Sequence, residues 1–336
     1  MRDPFDDLTE RGRALARSGA WTEVVSLLEP ALAMLVRSGE LCLLYAEALL
    51  RVGRERQACE WLRGAIPILV DAGDRVNHPR ALNLLGAAAF ALGELTEASE
   101  AFTTALEMAS QQEDFLLLAR ATNNLGMIAN LRGEHDTALG HYRLAIPTYQ
   151  RLGQRRGLAE SFHNIAITCR DMGALEEADE YECRAIDYSA QGVAPRVAAM
   201  GLIGRAEIAL RRGDPQFARG TAERAASELQ RLHDPLNEAD AHRLSGTAAN
   251  ALARFDEAEA AFDRALSIAR ARGHVLVEAE TLRDRAMSLL GQGLHHRAHR
   301  DAAAAMEVYS RLGASAEVVA LQRLFPPTTE THLSSP

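Results

Sequence analysis

Three histidines, His295, His296 and His299, make an HHxxH run whose i, i+3 and i+4 spacings would let two imidazoles on one helix face share a metal ion. No further ligand stands at a matching spacing, and His295 occupies the same place in a recurring pattern as Trp21, His135 and Phe255. The run therefore reads as structural, and no metal site is expected. Cys169 follows His163 by six residues, too far around a helix for a nucleophile and its base, so no catalytic pair forms there. Gly291-Gln292-Gly293 lacks the third glycine of a dinucleotide loop and follows a helical stretch, which makes it a turn. The 37 basic residues are all arginines. Without lysine, neither a P-loop nor a Schiff-base mechanism is available. The expectation is no enzyme and no cofactor.

The net charge of −9 sets the average field against a nucleic-acid backbone or an anionic bilayer, so neither is an expected partner. Cys42, Cys59, Cys169 and Cys183 form no CxxC pair and fit reduced thiols. The acidic start, Met1-Arg-Asp-Pro-Phe-Asp-Asp, does not resemble a signal peptide, and no run of about 18 apolar residues occurs. A cytoplasmic protein is the expectation.

The elements that would position any site follow from self-similarity. A turn residue recurs as Gly19, Gly53, Gly93, Gly133, Gly173, Gly213, Ala253 and Gly293, with a constant step of 40 from Gly53 onward. A second glycine falls twenty residues after many of these anchors, at Gly39, Gly73, Gly153, Gly273 and Gly313, so each unit holds two helices with a turn after each. Seven residues before each anchor stands Gly or Ala, from Gly12 to Ala286; five after comes Val24 and then Ala in every repeat; twelve after, all eight are Ala. Small residues at fixed offsets let helix axes approach closely. Larger side chains fill the intervals and read as core: Trp21, Leu95, Leu175 and Phe255 two after the anchor, and Leu28, Leu62, Phe102, Tyr142 and Phe262 nine after it. With 47% hydrophobic and only 5% aromatic residues, the composition suits packed helices.

This signature of small residue, turn glycine, alanine, aromatic and alanine resembles the tetratricopeptide repeats. The period of 40, longer than their usual 34, is similar to the subclass found in kinesin light chain-like adaptors and bacterial regulator sensor modules. Arg151-Leu-Gly-Gln-Arg-Arg-Gly-Leu-Ala-Glu160 and Asn123-Asn-Leu-Gly126 carry the likeness most strongly. It implies an all-α, right-handed α-solenoid of eight helix pairs over 1–325, closed by a capping helix at 314–325 and followed by a disordered tail at 326–336. Ala194-Pro195, Asp234-Pro235 and His78-Pro79 put proline in the first turn of a helix. The family's usual proline near the end of the second helix is missing.

By the same resemblance, the first helix of each pair lines a concave groove, exposing positions 13, 10, 9, 6 and 3 before the anchor. Those columns contain Arg80, Asn83, Arg120, Asn123, Asn124, Asn130, His163, Asn164, Arg170, Arg243 and Asn250, diluted by the acids Glu160, Asp240 and Asp284. Asparagine is a poor helix-interior residue, so its recurrence needs a reason. An amide can pair with both the N–H and the C=O of an extended peptide, and interleaved arginines would select carboxylates. The alternative is a solvated polar face bonded to the neighbouring repeat. A carboxylate clamp for chaperone C-termini is disfavoured, because only Asn124 fits its pattern, with Ala87 and Glu160 where Asn and Lys are needed. The functional expectation is a scaffold or adaptor that binds an extended, acidic segment of a partner, centred on repeats three to six. A ligand- or peptide-sensing regulator acting on a separate output protein is the alternative, and self-association stays open.

Overall fold

A computed structural model describes residues 4–35, 37–190 and 192–326. Apart from Pro326, the tail expected to be disordered lies outside these residues. Helices of 17 residues alternate with three-residue turns through most of the chain, which reproduces the twenty-residue half-period. The pairs are α1 (Pro4–Arg17) with α2 (Trp21–Leu28), extended by a 3-10 turn (Glu29–Ala31) and the short α3 (Leu32–Leu35); α4 (Gly39–Arg51) with α5 (Glu55–Asp71); α6 (Asn77–Ala91) with α7 (Leu95–Gln111); and α8 (Phe115–Leu131) with α9 (His135–Arg151). They continue as α10 (Arg155–Asp171) with α11 (Leu175–Ser189), α12 (Pro195–Arg211) with α13 (Pro215–Arg231), α14 (Pro235–Ala251) with α15 (Phe255–Arg272), and α16 (Val275–Gly291) with α17 (His295–Arg311). The capping helix α18 spans Ser315–Leu324. The fold is an all-α solenoid.

The turns explain the anchor column. After α6, Gly93 takes φ +78° while its N–H donates to the Phe90 carbonyl at 3.0 Å, and the Glu94 N–H reaches back to Ala89 at 2.9 Å. These two bonds satisfy carbonyls that the helix end leaves open. Ala253 closes the equivalent turn with the same two bonds, yet its Cβ is held at φ +58°. Helix starts are capped by Asp114, Asp214 and Asp234, whose carboxylates accept from Leu117, Phe217 and Asn237 N–H groups. The second helix of the first pair breaks into the 3-10 turn at Pro30, which lacks the N–H that would continue it.

Packing follows the columns. All eight small residues before the anchor are buried, as are the eight at five after it. Gly86, Gly126 and Gly246 face Phe102, Tyr142 and Phe262 respectively, each from the partner helix of the same pair. The expectation of a core column two after the anchor is corrected: these residues open the second helix at its exposed end, so Trp21, Leu95 and Leu175 are half-buried and Phe255 is 43% exposed.

The helices group into two compact units, Met1–Thr168 and Cys169–Pro336, the cut falling within α10. In the first, Leu41, Leu49, Leu62 and Phe102 are among the buried core. In the second, Ala206, Ala225, Leu229 and Leu244 form one core cluster, and Leu282, Tyr309, Leu321 and Phe325 belong to another that seats the cap. Among the described residues no helix is long and apolar enough to cross a membrane.

Candidate functional site

Helical periodicity places the polar columns of the first helices beside their counterparts one repeat away. In the unit Met1–Thr168, the Asn124 amide donates to Asn83 Oδ1 at 3.2 Å, joining α8 to α6. Ser161 donates to Asn123 Oδ1 at 2.9 Å, joining α10 to α8. Asn123 and His163, expected on an open face, are only 5% and 7% exposed. Asn130 is half-buried, and the His135 Nδ1–H donates to its Oδ1 at 3.0 Å. Arg80 is exposed and pairs with Asp114 at 3.0 Å.

In the unit Cys169–Pro336 the same pattern runs on charges. Arg170 pairs with Glu207 at 2.7 Å, and Ser288 donates to Asn250 Oδ1 at 2.7 Å. Arg243, with its side chain 13% exposed, bonds Asp240 and Asp284, each at 2.6 Å. Burial pulls the Arg243 guanidinium towards losing its proton, but Asp240 and Asp284 outweigh that and hold it above its ordinary value. Arg243, Arg170 and Asn250 therefore join repeats. The recurrence of amides and arginines has a structural cause. Its signal in the sequence is the partner residue: Ser161 and Ser288 each lie 38 positions after their asparagine, and Asp284 lies 41 after Arg243.

What stays open lies in the first unit. Among the described residues, Arg120 makes no hydrogen bond or ion pair, and neither does the Asn164 side chain. The Asn83–Asn124 bond leaves the Asn83 amide N–H and the Asn124 carbonyl unengaged. Two arginines absent from the sequence-based set stand on first helices of the same unit, and both are already paired, Arg51 with Glu47 at 3.0 Å and Arg156 with Glu160. Arg51 of α4 lies over the Trp21 ring at 5.5 Å, and burial, then the charge of Arg156 on α10, lowers its pKa. Arg156 bonds Glu160 at 2.8 Å. Arg51 on α4 and Arg156 on α10 are thus within electrostatic reach of each other.

The residues that suggested chemistry resolve as packing. His299 Nδ1 bonds the His295 carbonyl at 3.0 Å, and its ring meets Phe325 edge-on with centroids 5.5 Å apart. Among the described residues no group of three or more His, Cys, Asp or Glu could hold a metal ion. Burial pushes the Cys42 and Cys59 thiols up to about 11, far from a reactive thiolate.

Two family models, both described as tetratricopeptide repeat, match residues 117–191 and 68–113. No curated protein matches the chain significantly by sequence. Among solved structures, a Rap protein complexed with Competence and Sporulation Factor is 13% identical, with a TM-score of 0.65 over 95% of this chain and 96% of its own. The Rap conjugation regulator of plasmid pLS20 in complex with the Phr* peptide is 13% identical, with a TM-score of 0.67 over 84% of this chain and 76% of its own. A signal transduction ATPase with a tetratricopeptide repeat sensor from Pyrococcus horikoshii is 14% identical, with a TM-score of 0.63 over 95% of this chain and 48% of its own.

Proposed function

The chain belongs to the tetratricopeptide-repeat family, and on that premise we propose that it is a scaffold holding an extended, acidic segment of another protein along the first helices of the unit Met1–Thr168. The family and fold support a protein-interaction role in general. The finer reading rests on one observation: Arg120 and Asn164 keep their side-chain hydrogen-bonding groups unengaged, while the Asn83–Asn124 pair retains a free donor and a free acceptor. An extended peptide presents one N–H and one C=O per residue, which such amides can meet without reading its side chains. Arg120 supplies the preference for carboxylates, since Arg51 and Arg156 already pair with Glu47 and Glu160. Unlike the sequence-based expectation, this reading leaves out Arg170, Arg243 and Asn250, whose polar groups bond the adjacent repeat.

An array of extended peptides of graded acidity tests it. The double variant Arg120→Ala/Asn164→Ala should bind acidic peptides roughly 50-fold more weakly, from one charged and one neutral hydrogen bond. Equal binding of neutral and basic peptides, or an unchanged affinity in the variant, would refute the reading.

A second reading, a peptide-responsive regulator acting on a separate output protein, is favoured by the likeness to Rap proteins in complex with a peptide or signalling factor. Hydrogen exchange separates the two. A regulator bound to its peptide gains protection in helices remote from the peptide, whereas a scaffold gains it only beneath the peptide.

A further inference from the structure

A cleft of about 810 Å3 opens in the unit Cys169–Pro336 between α13 and α15, with α14 as its floor. Three substitutions in the repeat pattern make it. Thirteen after the anchor, seven repeats carry Leu32, Ile66, Leu106, Ile146, Ile186, Leu266 and Met306, whereas the sixth carries Ala226, in the cleft wall. Eight before the anchor, every other repeat has a longer side chain than Ser245, and eleven before it His242 stands where Leu202 and Leu282 stand in the adjacent repeats. The side chain thirteen after the anchor, long and apolar in the seven other repeats, is here cut back to a methyl group, and two polar side chains, Ser245 and His242, stand beside it on the cleft lining.

Those polar groups lack partners. Glu238 and His242, one helical turn apart on α14, and Arg264 on α15 all line the cleft and make no hydrogen bond or ion pair among the described residues. By contrast, Arg219 on the α13 wall pairs with Glu257 across the cleft and with Glu223. An acid and a base left open beside a leucine-sized gap match a molecule that carries one charge of each sign and one aliphatic side chain. Cavities of roughly 300–1,000 Å3 are the size that holds small organic ligands.

We propose that this cleft binds a zwitterion of hydrophobic amino-acid chemistry, free or as a short peptide, with its carboxylate on Arg264 and His242, its ammonium on Glu238 and its side chain in the space left by Ala226. Burial, and then the charge of Arg264, lower the pKa of His242, and a carboxylate held between the two would favour its protonated form. The proposal is independent of the peptide-binding face in the other unit.

Saturation-transfer NMR on the full chain tests it with L-leucine, L-methionine and glycyl-leucine as probes, and with leucinamide and 4-methylpentanoate as analogues of leucine that each lack one charge. Transfer from leucine or methionine identifies the free amino acid as the ligand, and transfer from glycyl-leucine alone identifies the short peptide. Either analogue should bind about tenfold more weakly than its parent, as should the parent to Glu238→Gln or Arg264→Gln, both at the cleft surface. Ala226→Leu should abolish binding while leaving the chain folded by circular dichroism, and the imidazole pKa of His242 should rise on adding the bound probe. Transfer from none of the three probes, equal binding of the uncharged-end analogues, or unchanged binding in Arg264→Gln and Glu238→Gln would overturn the proposal.

Discussion

The Cβ that Gly126 lacks would lie 2.5 Å from Cε1 of Tyr142, on the partner helix of the same pair. The relation recurs: Gly86 faces Phe102 with 2.6 Å to its ring, and Gly246 faces Phe262 with 2.8 Å. Where the residue nine after the anchor is Leu62, Glu182, Ala222 or Ala302, the position seven before it is alanine, at Ala46, Ala166, Ala206 and Ala286. The first repeat departs from this, with Gly12 against Leu44 of the next repeat while its residue nine after the anchor is Leu28; in the three repeats that carry a ring, ring and glycine form one packing unit.

Gly126→Ala should therefore destabilise the protein by roughly 1–3 kcal/mol through overpacking. Tyr142→Leu, which recreates the Ala46–Leu62 combination, should cost less in the alanine background than in the wild type. A double-mutant cycle by urea unfolding measures the coupling; purely additive effects would show that the ring and the glycine are not linked.

Ala253 holds a left-handed backbone at φ +58°, where its sister anchors are glycine. Ala253→Gly should stabilise by about 0.5–1 kcal/mol, because relief of the Cβ clash exceeds the added freedom of the unfolded chain. Gly213→Ala should shift the denaturation midpoint in the opposite direction.

Removing the guanidinium between Asp240 and Asp284 would strip Asp240 of its partner and leave Asp284 with Arg283 alone, in a joint where the Asp284 side chain is largely buried. Arg243→Met should cost about 3–5 kcal/mol, and Asp284→Asn in the same chain should restore part of it. Thermal unfolding reads both. Peptide affinity should not change beyond what unfolding explains, since Arg243 belongs to the joint.

Asn123→Ala and Asn250→Ala separate structure from recognition in the same way. Each removes the acceptor of a serine hydroxyl, at Ser161 or Ser288, and should lower stability by roughly 1–3 kcal/mol, less at Ser288, which keeps its bond from Gln292. Asn164→Ala, which breaks no side-chain bond, should leave the melting temperature unchanged and affect peptide binding alone.

Asp114 caps α8 and pairs with Arg80. Burial pulls its pKa up, but the Leu117 N–H and the Arg80 guanidinium prevail and hold it below the ordinary value. A lowered folded pKa contributes stability that is fully present above the unfolded value near 3.9 and is lost as pH falls through the folded one. Acid unfolding of Asp114→Asn should consequently show a shallower loss of stability below about pH 4 than the wild type. An identical acid limb would remove Asp114 from the pH dependence.

Much of the architecture was legible in the chain because it rests on local rules repeated eight times. A glycine ends a helix, an alanine lets two axes approach, and a ring needs a glycine opposite, so period and helix bounds follow from residue type and offset. The polar face did not follow, because helical spacing places Asn123 and Asn164 in adjacent columns without saying which one the next helix covers. Ser161 reaches Asn123, whereas among the described residues no side chain bonds the Asn164 amide. That distinction depends on the register between first helices some forty residues apart, and so do the neutralisation of Arg243 by Asp284 and the approach of Arg156 to Arg51. The cleft at Ala226 belongs to both levels: the break in its column stands in the sequence, but only the packing of α13 and α15 over α14 decides that the missing side chain leaves a space lined by unpaired charges instead of collapsing.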